Sequence, residues 1–187
     1  MNDYSIALYL HIVSVLGMFV ALGVEWLGLS QLRSARDFGP VRVWMGILKN
    51  LLKGGMPSML AAVVSGLYMM WRVWGGTPWL IVSSGALVLV IALSQVLTRP
   101  QMMAIGRTLG AQKGPALSQT FHSLANHPLL WISIQTRIAI ALGIIFLKIA
   151  KPDLTGSLLT IGIAIVLGIA SALPAWRRER PGELSAN

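Results

Sequence analysis

Three ionisable side chains lie within long apolar stretches of the sequence. His11 and Glu25 fall within the run from Tyr4 to Gln31, and Arg137 falls within a run from about residue 129 to residue 147. An ionisable group inside an apolar helix of membrane length is costly unless it faces protein or water, so it commonly marks a functional or structural site. These three residues are therefore the first candidates for chemistry.

The imidazole of His11 has two interpretations. It can ligate haem b or another tetrapyrrole, with copper a weaker choice, or it can hydrogen-bond to a neighbouring helix with no cofactor at all. The chain has no cysteine, so any metal would need histidine, methionine or carboxylate ligands. His122 and His127 fall in a predicted loop and are expected to be ordinary loop residues. His11 is thus the predicted cofactor or metal ligand.

Glu25 and Arg137 form the second candidate site. At about 1.5 Å per residue, both come roughly 10 Å below the same membrane surface, so they meet if their two helices pack together. A structural ion pair that fixes helix register is one interpretation. The other is part of a proton or anion path, with Gln95 and Gln135 as polar neighbours.

The composition indicates what kind of protein positions these residues. Hydrophobic residues make up 55% of the 187 residues and charged residues only 11%, and the mean hydropathy is +0.71. These values are typical of a polytopic membrane protein rather than a soluble domain. The net charge of +9 resides mainly in short connections between apolar runs, which argues against nucleic-acid binding. No P-loop, HExxH or nucleophile-elbow motif supports hydrolase chemistry.

The apolar runs predict an all-α membrane helix bundle, a single integral membrane domain over residues 1–187 with five transmembrane helices. Basic residues concentrate in the first and third connections and in the tail, which places the N-terminus outside and the C-terminus in the cytoplasm, here of a bacterial inner membrane. The predicted spans cover about residues 5–31, 56–74, 79–98, 129–147 and 154–173.

Local signals predict how these helices begin and end. A basic amphipathic helix between the first two spans, opened by Pro40 and ended by Gly54-Gly55, is expected to lie on the cytoplasmic membrane surface. Pro100 is expected to break or kink the third span. Asn126 is expected to cap the fourth span ahead of a proline in its first turn.

Helical spacing divides the first span into two faces. The face predicted to point into the bundle holds His11, Ser14, Met18, Ala21, Glu25 and Gly28. The face predicted to meet lipid holds Leu8, Ile12, Val15, Leu22 and Leu29.

Three segments resemble a broad group of small bacterial membrane proteins that includes the CopD membrane domain and the HemJ-type protoporphyrinogen oxidases. They are LYLHIVSVLGMF in the first span, MPSMLAAVVSGLYMMW in the second, and RIAIALGIIFLKIAKPDL from the fourth span into the turn after it. The resemblance implies a four-helix core with a fifth span appended, and it matches His11 to a histidine associated with haem or porphyrin. HemJ-type enzymes also carry a functional lysine in the third span, and residues 79–98 contain none. This departure from the HemJ-type pattern counts against protoporphyrinogen oxidation.

Two main functions follow from these observations. The first is an accessory or redox-associated membrane protein that binds haem, porphyrin or a metal through His11. The second is a cofactor-free structural subunit of a larger membrane complex, contacting lipid and either other membrane subunits or further copies of itself. A small transporter or proton path is a third, weaker alternative, and the sequence leaves open whether the protein is an enzyme.

Overall fold

The computed structural model describes residues 3–111 and 117–177, and within them all side chains except those of residues 52–54, 56 and 174–177. The secondary structure described there is helical, without a β-strand, which confirms the predicted all-α class. Two short π-helical turns, Met70–Trp74 and Ser94–Thr98, follow α2 and α3. The α-helices are α1 (Asp3–Ser34), α2 (Phe38–Met69), α3 (Pro78–Leu93), α4 (Arg99–Ala111), α5 (Gln119–Ala125), α6 (Pro128–Ala150) and α7 (Leu154–Arg177).

Among the described residues, four helical segments are long and apolar enough to cross a membrane. They are Asp3–Ser34, Pro78–Ala111, Gln119–Ala150 and Leu154–Leu173. The predicted second span, residues 56–74, lies in α2 and the π turn after it and is not one of the four, so the five-span count stays a prediction. Many large apolar side chains on these helices are exposed, as expected for surfaces that meet lipid.

The helices fall into two units, Met1–Thr77 and Pro78–Asn187. In the first unit, α1 packs along α2. Gly28 allows their closest approach, since a Cβ added there would lie 2.9 Å from the Leu48 side chain. Further along the pair, Gly17 lies against Ser58 in the same way.

The predicted inward face of α1 is buried or half-buried along its length, from His11 to Gly28. The predicted lipid face is partly wrong, because Leu22 and Leu29 are buried, with exposures of 6% and 1%. Leu22 follows Met18 and Leu29 follows Glu25 by four positions, so both lie at the edge of the predicted inward face. The buried arc of α1 is therefore wider than the spacing predicted.

The prediction of a separate surface helix ending at Gly54-Gly55 is wrong, because α2 runs without interruption from Phe38 to Met69. A glycine inside a helix costs about 1 kcal/mol relative to alanine, which weakens a helix but does not end it. Gly55 packs toward Ala21, whose Cβ would lie 3.9 Å from an added Cβ. Packing against α1 thus outweighs the weak propensity of the glycine pair.

In the second unit, α6 packs against both α3 and α7. A buried apolar cluster joins the three helices through Val90 of α3, Ile140 and Leu147 of α6, and Ile161 of α7. The α6–α7 contact is especially close, because a Cβ added to Gly168 of α7 would lie 2.5 Å from the Thr136 Cα of α6. Asp153 lies directly before α7, and its carboxylate accepts a hydrogen bond from the Gly156 amide at 2.8 Å.

Pro100 does not end the third span, because the chain stays helical into α4. Instead, the hydrogen-bonding pattern changes to a π turn at Ser94–Thr98, immediately before the proline. A proline lacks an amide hydrogen and its ring clashes with the carbonyl four residues earlier, and the wider π turn is a form in which helices accommodate such a local irregularity. Of the two predicted outcomes, a break at Pro100 is therefore wrong, and a kink stays a prediction.

Two helix ends differ from their predicted positions. His127, not Asn126, caps α6, and its Nδ1 accepts a hydrogen bond from the Leu129 amide at 3.4 Å. Asn126 instead closes α5. Pro128 occupies the first turn of α6 as predicted, and this position requires the cap to be the residue directly before it. At the other end of the chain, α7 continues beyond the predicted end at residue 173 to Arg177.

Candidate functional site

The imidazole of His11 faces α2 rather than lipid. Its Nδ1 lies 3.0 Å from the Ala62 carbonyl oxygen and 3.3 Å from the Ser65 hydroxyl. Because a carbonyl oxygen can only accept, Nδ1 carries the proton and donates to Ala62. The lone pair of the neutral ring is therefore on Nε2.

Small residues of α2 make the space for this ring. A Cβ added to Gly66 would lie 3.1 Å from the His11 Cε1 and 3.4 Å from Nδ1, so any larger residue would press on the imidazole. The Ser65 hydroxyl donates to the Ala61 carbonyl in its own helix, which leaves its oxygen oriented to accept from Nδ1. His11 is thus held at a fixed position against one turn of α2.

The contacts of His11 can be compared with those of a metal-ligating histidine. Histidines that ligate a metal commonly donate their other ring N–H to a carbonyl or carboxylate, as Nδ1 does here. In residues 3–111 and 117–177, no three His, Cys, Asp or Glu side chains come together as a metal-binding group. A tetrapyrrole iron needs only one axial ligand from the protein. Nε2 is buried, so the surrounding side chains must rearrange for a ligand to reach it.

Arg137 is buried in the second unit, with 3% of its surface exposed. Its Nη2 donates to the Thr98 hydroxyl at 3.2 Å, and the Thr98 and Ser133 hydroxyls lie 2.9 Å apart. Ser133 donates to the Leu93 carbonyl at 3.3 Å. These directions require Thr98 to donate to Ser133, so one chain of hydrogen bonds runs from the guanidinium to the beginning of the π turn.

The two glutamines do not extend this chain. Gln95 is exposed on the π turn and accepts a hydrogen bond from Arg99 at 3.0 Å. Gln135 precedes Arg137 by two residues, about 200° around α6, and lines a groove between α6 and α7. Gln135 and Arg137 therefore lie on roughly opposite sides of the helix.

Glu25 lies on the half-buried face of α1, in the first unit. Arg137 belongs to the second unit. Their predicted ion pair stays a prediction.

The hydroxyl groups around Arg137 were not predicted from the sequence. Ser133 precedes Arg137 by four residues, so the two share one face of α6, and that spacing was the available signal. Thr98 comes from a distant part of the chain and carried no such signal. Only helix packing brings it to the guanidinium.

Comparisons with protein-family models, curated proteins and solved structures give no match for this chain. What the chain does is therefore inferred from the positions and contacts of its own side chains.

Proposed function

We propose that this chain is an integral protein of the bacterial inner membrane and that His11 ligates a haem or another tetrapyrrole in an accessory or redox-associated role. The observation that carries the proposal is the hydrogen bond from Nδ1 to the Ala62 carbonyl. It selects the tautomer in which Nε2 has the lone pair, and it raises the basicity of that nitrogen.

The chain's own residues have distinct parts in this proposal. Ala62 orients the ring through its carbonyl, and Gly66 leaves room for the ring between α1 and α2. Ser65 gives Nδ1 a second acceptor, which limits rotation of the imidazole. A bound haem would supply one-electron redox chemistry, with a potential that depends on the axial ligand and its hydrogen bonds.

A visible spectrum tests the ligand proposal directly. The protein is purified in a mild detergent, and spectra are recorded in oxidised and reduced forms for the natural chain and for His11→Gly and Gly23→Ala variants. Gly23 is the control because an added Cβ there meets nothing within 4 Å. We expect a Soret band that persists in the control, is lost in His11→Gly and returns when imidazole is added. A colourless natural protein, or a band unchanged in His11→Gly, contradicts the proposal.

A cofactor-free structural subunit is the second candidate, and the burial of Nε2 favours it. In that case His11 is a hydrogen-bonding contact that fixes α1 against α2. The natural protein would then be colourless, and His11→Gly would lower its thermal stability. Under mild detergent, it would co-purify with other membrane subunits.

For topology, we propose five spans with the N-terminus outside, so that the first half of α2 lies at the anionic cytoplasmic surface. Arg42 and Lys49 are exposed there beside exposed Val43 and Ile47. Such a mixed basic and apolar surface is typical of helices at an anionic membrane interface. Because the chain has no cysteine, a Lys49→Cys variant provides a unique label. We expect an impermeant thiol reagent to modify it only from the cytoplasmic side, and modification from outside contradicts this topology.

A further inference from the structure

Two arginines lie on the exposed side of α4. Arg99 and Arg107 are exposed, and Met103, which lies midway between them, is 48% exposed. Positions 99, 103 and 107 are spaced by four residues, so the three side chains share one side of the helix. Ile105 lies on the opposite side and is fully buried. The exposed side, formed by residues 99, 103 and 107, is the arginine stripe.

The arginine stripe begins where a membrane-spanning helix leaves the hydrocarbon layer. Residues 78–98 contain no charged side chain, and the segment Pro78–Ala111 is long and apolar enough to cross a membrane. From Pro78 to Arg99 the helix rises about 30 Å at 1.5 Å per residue, which equals the thickness of the hydrocarbon core. Arg107 lies about 12 Å further along α4. Because helical side chains tilt toward the helix N-terminus, those of the stripe reach back toward the lipid headgroups.

The positive charge of the stripe has no acidic side chain close to it. No Asp or Glu occurs between Asp37 and Asp153. Within residues 78–111 and 117–177, Asp153 is therefore the one acidic side chain, and it lies about 30 Å along α6 from Ser133, which contacts Thr98 beside the stripe. In the part of the chain that the structure describes, neither arginine of the stripe forms an ion pair. The stripe therefore presents unneutralised positive charge at the depth of the lipid phosphates.

Gln95 orients the first arginine of the stripe. Its Oε1 accepts a hydrogen bond from the Arg99 Nη1 at 3.0 Å. A guanidinium has five N–H donors, and a phosphate accepts two of them in parallel. The bond to Gln95 restricts the side chain and leaves Nε and Nη2 for such a pair. Because the amide is uncharged, it positions Arg99 without neutralising it.

We propose that the arginine stripe binds the phosphate groups of anionic phospholipids. Arg99 and Arg107 donate to the phosphate oxygens, and Gln95 is a positioning residue for Arg99. Met103 packs on the apolar part of the lipid at the base of its headgroup. An exposed apolar side chain between two arginines favours a lipid over a soluble phosphate, which has no apolar part. The site rests on the proposed membrane location of the chain and does not depend on a ligand at His11.

Lipid binding to the detergent-solubilised full chain tests the proposal. Native mass spectrometry measures the dissociation constants of phosphatidylglycerol, which is anionic, and of phosphatidylcholine, which has no net charge. We expect phosphatidylglycerol to bind more tightly, and Arg99→Gln and Arg107→Gln each to weaken its binding by about fivefold. The matched control is Arg72→Gln, which removes the same charge from an exposed arginine of the first unit and should retain the natural affinity.

A carboxylate at position 95 tests the orientation of Arg99 separately. Gln95→Glu places a negative charge four residues before Arg99, where it pairs with the guanidinium and competes with the phosphate. This variant should bind phosphatidylglycerol at least fivefold more weakly than the natural chain, while its Tm without lipid is unchanged or higher. Thr155→Glu is the control, because it adds the same charge at an exposed position at the beginning of α7 and should leave the affinity unchanged.

Four results would overturn the lipid site. They are equal affinities for the two lipids, a loss with Arg72→Gln as large as with Arg99→Gln, natural affinity in Gln95→Glu, and displacement of phosphatidylglycerol by millimolar inorganic phosphate. The last result would assign the stripe to a soluble anion. Recovery of the chain from the soluble fraction without detergent would instead contradict the membrane location itself, so the two proposals fail by different results.

Discussion

The closest approach of two helices in the second unit gives the sharpest stability prediction. A Cβ added to Gly168 of α7 would lie 2.5 Å from the Thr136 Cα and 3.0 Å from the Thr136 backbone nitrogen. Backbone atoms cannot rotate away as a side chain does, so α7 must move by about 1 Å to restore a normal contact of roughly 3.5 Å. Because interiors are closely packed, that movement also disturbs the neighbouring contact between Gly143 and Ala164.

The size of the effect follows from two opposing terms. Overpacking costs about 1–3 kcal/mol, and the better helix propensity of alanine returns about 1 kcal/mol. We therefore expect Gly168→Ala to lower the free energy of unfolding by up to about 2 kcal/mol, which corresponds to a decrease in Tm of up to about 8 °C. Tryptophan fluorescence during heating of the protein in detergent measures this, since the chain has seven tryptophans.

Gly162→Ala is the matched control on the same helix. A Cβ at Gly162 meets nothing within 4 Å, so this variant keeps the gain in helix propensity without the clash. Its Tm should equal or exceed that of the natural chain. If both variants unfold at the same temperature, the close α6–α7 approach does not contribute to stability and the reasoning is refuted.

Three further substitutions test contacts elsewhere in the fold by the same thermal measurement. Gly66→Ala should lower the Tm because its Cβ presses on the hydrogen-bonded imidazole, whereas Gly23→Ala should not. Asp153→Ala removes a helix cap and should cost about 0.5–2 kcal/mol; Asp37→Ala is its control, because Asp37 makes no capping hydrogen bond and its loss should change little. Ser133→Ala removes the acceptor of the buried Thr98 hydroxyl and a donor to the Leu93 carbonyl and should cost about 1–3 kcal/mol, so a variant as stable as the natural chain would contradict the hydrogen-bond chain to the guanidinium.

The ionisable candidates were predictable from sequence because a charged or titratable group in an apolar run carries a large desolvation cost. The same reasoning predicted that His11 faces protein, which its contact with Ala62 confirms. It did not identify Ala62 or Ser65 as the partners, because small residues of these types recur throughout the apolar runs. Only the register of α1 on α2 selects among them.

Helix boundaries were less predictable, because tertiary packing overrides local propensity. Two consecutive glycines, Gly54-Gly55, are typical of a helix end, yet α2 continues through them. A proline such as Pro100 is typical of a break in a helix, yet the chain remains helical through a π turn. Both positions lie in helices whose neighbouring turns pack against another helix, and that contact is absent from a one-dimensional pattern.

In each of the two units, a glycine at a helix contact lies close to a candidate polar side chain. Gly66 leaves room for the His11 ring and so allows Nδ1 to reach a backbone carbonyl of α2. Gly168 brings α7 against the backbone of Thr136, one residue before the buried Arg137. Where helices approach this closely, a polar group gains fixed partners that a looser contact would not provide. The hydrogen bonds of His11 therefore depend on a position that has no side chain of its own, and a substitution at Gly66 should alter them without touching a titratable group.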